Sequence, residues 1–90
     1  MTDFDHLTET DLARIDLLVH AATGGPWKSF IEGRDHTSGS DFIQTPISDI
    51  ELTGATVADH DFIASARQDV PRLVAEVRAL RMLLKQSDRG

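Results

Sequence analysis

The chain has ninety residues, a formal net charge of −6 and no cysteine, which bounds it to one small domain (1–90) without disulfides or thiolate metal sites. A domain this small buries only about 60–65% of its unfolded surface, so stability gained by oligomerising is expected. Residues 1–61 hold twelve acids against Arg14, Lys28 and Arg34 (net −9), whereas 62–90 hold three acids against six bases (net +3). The acidic part repels a phosphate backbone, which argues against nucleic acid as the main partner.

The start, MTDFDHLTETD, is acidic and carries no apolar run. Neither a signal nor a transit peptide is expected from it. No stretch approaches the roughly 20 apolar residues of a membrane span, so the expectation is a cytoplasmic protein. Thr8 followed three residues later by Asp11 reads as a short capping box, with Leu7 and Leu12 at staple positions. Leu12, Ile15, Leu18, Val19 and Ala22 recur at helical spacing. Gly24, Gly25 and Pro26 stop the pattern, which predicts a helix over about 8–23. His6 and His20 lie fourteen residues apart with no carboxylate partner at ligand spacing, so no metal site is expected.

From 27 to 52 the pattern is β. Trp27–Glu32 and Asp41–Thr45 are strand-forming runs that flank a loop, 33–40, and together predict a hairpin. Pro46 either ends the second strand or marks a sheet edge. Ile47–Leu52 alternates loosely, which leaves two outcomes open, a hairpin alone or a third antiparallel strand. The hairpin needs a helix on one face, and Trp27 is the largest anchor for that junction.

The loop gathers the densest polar chemistry. Arg34 offers a planar fork for a carboxylate or phosphate, His36 and the hydroxyls of Ser38 and Ser40 add hydrogen bonds, and Trp27 adds a stacking face. These five are the candidate ligand-binding residues. Two readings stay open: a solvated hairpin turn, or a lip for an anionic ligand or a protein partner. The spacing is not that of a phosphate-binding Gly-Lys-Ser/Thr loop, and no nucleophile elbow surrounds Ser38 or Ser40. His60 between Asp59 and Asp61 is a poor dyad because adjacent helical residues point apart. No catalytic residue, metal or cofactor is expected.

The last third predicts two helices, 57–67 and 69–86. Thr56 and Asp59 open the first; Asp69 followed by Pro71 reads as a restart, since proline's missing N–H costs nothing in a first turn. Val70, Leu73, Val77, Leu80 and Leu84 are spaced as the seam of a helix that packs on another helix. Glu76 and Arg81 then flank the seam at positions that meet across a parallel pair. These seven residues are the candidate oligomer interface. Val74 and Leu83 widen the stripe enough for packing within the chain as well. The fold expected is α+β: an N-terminal helix, a hairpin or three-stranded antiparallel sheet, then two C-terminal helices.

Three segments carry a resemblance. AATGGPW at 21–27, DHDFIASAR at 59–67 and VPRLVAEV at 70–77 together resemble the Ead-type accessory proteins of phages and prophages. Gly24 stands where that family usually has proline, and Ser65 where it has alanine. The resemblance implies a small cytoplasmic accessory protein, oligomeric, acting by binding and without an agreed catalytic residue. The expected function is anti-defence binding, with a small anionic, nucleotide-like ligand sequestered. The alternative is an acidic inhibitor or immunity protein that covers a basic protein surface.

Overall fold

The computed structural model describes residues 6–89, with side chains to Ser87; the first five residues of the acidic N-terminal stretch lie outside this range. Helix α1 spans Glu9–Ala21, strands β1, β2 and β3 span Lys28–Phe30, Phe42–Gln44 and Asp49–Ile50, and helix α2 spans Val57–Arg89. The protein is α+β, with a three-stranded antiparallel sheet in the order β1-β2-β3.

Helix α1 begins as its sequence dictates. Thr8 Oγ1 accepts the Asp11 N–H at 3.0 Å, and the Asp11 carboxylate accepts the Thr8 N–H at 2.9 Å. Two of the donors that every helix start leaves open are thereby satisfied. The same box recurs at α2, where Thr56 and Asp59 exchange bonds of 3.0 Å. Leu12 is buried where α1 meets α2.

In the sheet, Ser29 pairs with Ile43, Phe30 with Phe42, and Ile43 with Ile50. Strand alternation puts Ser29 and Ile43 on the face toward α2, where both are buried. Phe30 and Phe42 stack on the opposite face with centroids 5.3 Å apart. Strand β2 is central, so Pro46 ends it: Pro46 lies in a turn that Thr45 closes by donating its Oγ1–H to the Ser48 carbonyl at 2.6 Å. The third strand forms, but over two residues only.

The two expected C-terminal helices are one. Helix α2 runs unbroken for 33 residues with Pro71 inside it. An interior proline costs about 3 kcal/mol, because it removes one helix bond and crowds the carbonyl four residues back. Contacts on both sides offset that cost: Gln68 is tied to Trp27, and Val74 is buried. Asp69 does not cap a new helix; it pairs with Arg72 at 3.7 Å on the surface.

Helix α1 runs antiparallel to α2. Its start is held by Arg81, which donates to Glu9 Oε2 at 3.2 Å and to the Leu7 carbonyl. Arg78 pairs with Asp16 and, at 3.9 Å, with Glu9. The buried apolar core among the described residues is small: Leu12, Ile31, Ile43, Ala64 and Val74. The radius of gyration is 17.5 Å, against about 12 Å for a compact chain of this length. The end of α2 projects past the rest of the molecule, whose longest dimension is 59 Å.

Candidate functional site

The polar cluster that matters sits where the 31–41 loop meets α2. Its loop geometry comes from Gly33 and Gly39, whose φ angles of 82° and 100° lie in the region where a Cβ is strained. Within that turn the Asp35 carboxylate accepts the Ile31 N–H at 2.9 Å. The Asp41 carboxylate likewise accepts the Glu32 N–H at 2.8 Å.

Arg34 leaves this loop and reaches α2. Its Nη1 donates to Asp61 Oδ2 at 2.9 Å and its Nη2 to Asp61 Oδ1 at 3.0 Å, a bidentate pair. The Nη2 also donates to Ser29 Oγ at 3.1 Å, and the Nε to Asp35 Oδ2 at 3.0 Å. Ser29 Oγ–H in turn donates to Asp61. The hydrogen bonds from Arg34, then that from Ser29, pull the Asp61 carboxyl down to about 2. Asp35 is lowered by Arg34 and by the Ile31 N–H. The same two carboxylates push the Arg34 guanidinium above its ordinary value. A carboxylate held so low is a feeble base, so Ser29 gains no nucleophilic activation from it.

The other candidates also have internal duties. His36 lies against the aromatic face, with its ring 5.1 Å from Phe42 and 6.4 Å from Phe30. Its Nδ1 accepts the Ser38 N–H at 3.0 Å, and Ser38 Oγ sits 2.6 Å from the same nitrogen. Ser38 thus orients His36 rather than a ligand. Ser40 is exposed. Trp27 is half-buried, and its Nε1–H is shared between the Thr23 and Gly24 carbonyls at 3.2 Å each. Trp27, Arg34 and Ser29 line one open cleft of about 310 Å³ together with Asp61 and Ser65; His36, Ser38 and Ser40 are not part of it.

No local pattern in the sequence marks Ser29, Asp61 or Gln68 as a site residue: Asp61 reads as a neighbour of His60, and Ser29 as an ordinary strand residue. No local signal joins positions 29 and 61. His60 itself is 2% exposed, with Nδ1 2.8 Å from the Thr56 carbonyl and Nε2 buried without a partner. A carbonyl only accepts, so Nδ1 carries the hydrogen.

The predicted seam divides. Val70 and Val77 are half-buried beside Leu12 and Ile15 of α1, while Leu73, Leu80 and Leu84 are 62%, 52% and 66% exposed. Glu76 is exposed, and Arg81 is already engaged by Glu9 within the chain. Among the described residues no helix is long and apolar enough to cross a membrane, and no three His, Asp or Glu side chains converge as metal ligands. No family model, curated protein or solved structure matches the chain.

Proposed function

We propose that this is a non-catalytic binding protein that works as an oligomer and offers its acidic β cap to a basic protein surface, as an inhibitor or immunity protein does. One observation carries the reading: Arg34, the cation on which an anion-binding loop would depend, donates from all three nitrogens to Asp61, Asp35 and Ser29. A nucleotide-like anion meets no free guanidinium there. Elsewhere in the cap, Glu32, Asp49, Glu51 and Asp59 stay exposed. Residues 28–61 hold seven acids against two bases, a net −5. Such a surface steers a basic partner toward it and repels acidic competitors. The resemblance to phage accessory proteins agrees with a binding role in a bacterial cytoplasm.

The test is calorimetry of the full chain against mono-, di- and cyclic dinucleotides, alongside a basic partner identified by cross-linking in an expressing host. The nucleotides should give no heat. The partner's affinity should fall steeply with salt and be lost in the triple variant Glu32→Lys, Asp49→Lys, Glu51→Lys. Heat from a nucleotide, or a partner indifferent to the triple variant, overturns the reading.

A further inference from the structure

Because α2 does not break at Pro71, its apolar seam is longer than the sequence pattern alone suggested. Counted back through the proline, the three-four spacing continues to Ala66 and Ile63. The seam therefore covers three heptads, with Ile63, Val70, Val77 and Leu84 at position a and Ala66, Leu73 and Leu80 at position d. We propose that this seam is the interface of a parallel, two-stranded coiled coil with a second copy of the chain. The assignment deepens the oligomer part of the reading above and rests on it; it is independent of what the cap binds.

Three observations select this occupant. The first is residue type. β-Branched side chains at a with leucine at d favour two parallel strands, and Ile63, Val70 and Val77 stand at a, with Leu73 and Leu80 at d.

The second is charge. Position g carries Phe62, Asp69, Glu76 and Leu83, and position e carries Arg67, Val74 and Arg81, so the charges at g are acidic and those at e basic. An antiparallel pair sets g against g and e against e, acid on acid and base on base. A parallel pair sets Glu76 against the second copy's arginine at position 81 instead. Arg81 donates within the chain to Glu9 and to the Leu7 carbonyl and keeps 34% of its side chain exposed for this contact.

The third is phase. The chain's own contacts centre on a neighbouring face of the helix, Ala64, Pro71 and Arg78 at b and His60, Arg67, Val74 and Arg81 at e, and reach the seam's edge at Val70 and Val77, which are half-buried beside α1. Of these, His60, Ala64 and Val74 are buried. The hydrogen bond that Pro71 removes is to the Arg67 carbonyl, on this inward face, so the a/d seam is not interrupted. One helix thus serves its own domain and a second copy with adjoining stripes that share Val70 and Val77, while Leu73, Leu80 and Leu84 stay exposed for the second copy. The seam's exposed leucines are what a solitary chain would leave against water.

The absence of native cysteine makes the test clean. Ser87 stands at the next d position and is exposed. Sedimentation equilibrium of the full chain should give a dimer, and Ser87→Cys in a glutathione redox buffer should give a disulfide-linked dimer. Leu73→Lys places a charge on a side chain already exposed within the chain, so its helix content should persist while the dimer dissociation constant rises by roughly 100-fold or more. A dimer that Ser87→Cys fails to link, or that survives Leu73→Lys, overturns the parallel seam and leaves the oligomer reading standing. A trimer or larger closed assembly does the same. A monomer overturns both.

Discussion

Gln68 binds the backbone of Trp27 as a neighbouring strand would. Its Oε1 accepts the Trp27 N–H at 2.7 Å, and its Nε2 donates to the Trp27 carbonyl at 3.2 Å and to the Ala64 carbonyl at 2.9 Å. The end of the linker from α1 is thereby fastened to α2 immediately before the first strand. Both linker groups lose their partner in Gln68→Ala, and at about 1 kcal/mol per net bond the variant should be about 2 kcal/mol less stable. Gln68→Glu keeps an acceptor for the N–H but has no amide donor for the two carbonyls, so it should not restore full stability. Urea unfolding of the two variants checks this.

The Arg34–Asp61 pair makes stability depend on pH in one direction. The folded-state pKa of Asp61 is lowered to about 2 from the ordinary 3.8. The contribution is therefore fully present above about pH 4 and is lost as the pH falls through about 2. Asp61→Asn should have a lower melting temperature at pH 7 and a flatter decline between pH 4 and 2 than the parent. Parallel acid limbs for the two proteins would contradict the pairing.

His60 is a buried ring with one unsatisfied nitrogen. The Thr56 carbonyl also receives the His60 backbone N–H at 3.1 Å, so it keeps a donor when the ring is removed. His60→Leu should therefore hold stability within about 1 kcal/mol of the parent or raise it, because a buried unpaired acceptor is expensive. His60→Ala, which leaves a cavity, should lower stability by about 2 kcal/mol or more. Equal losses in the two would mean that Nε2 has a partner.

The N-cap of α2 holds the helix that α1, β1 and β2 pack against. Thr56→Ala removes the hydroxyl that accepts the Asp59 N–H and should cost about 1 kcal/mol, whereas Thr56→Ser should be nearly neutral. Thermal melts in one buffer suffice to compare them.

Arg78 ties the middle of α2 to Asp16 and Glu9 of α1. It is partly exposed, so Arg78→Met should cost only about 0.5–1 kcal/mol, and less at high salt. Hydrogen exchange should rise along α1 and stay unchanged in the sheet.

Much of this architecture is legible locally. Thr8 with Asp11 and Thr56 with Asp59 mark both helix starts, because a cap is a bond between residues three apart. Gly24–Pro26 marks the end of α1 for equally local reasons. Asp69–Pro71 reads as a restart because that rule weighs only the helix's own hydrogen bonds, while Gln68 and Val74 hold the chain helical through contacts with Trp27 and α1. The site is less legible still. Arg34 reads as a lone cation awaiting an anion, and its partner Asp61 lies 27 residues away, beside a histidine that draws attention from it. Ser29 gives no sign at all, since its role depends on which face of β1 turns inward.

A continuous α2 also restricts how the chain can vary in length. The sheet grips the helix between His60 and Gln68, and α1 grips it between Val70 and Arg81, both from the same side. One residue inserted between these grips would turn the second by about 100° relative to the first and swing α1 off the sheet's side. Seven inserted residues would turn it by only about 20°. Natural variants of this chain should therefore differ in α2 by whole heptads.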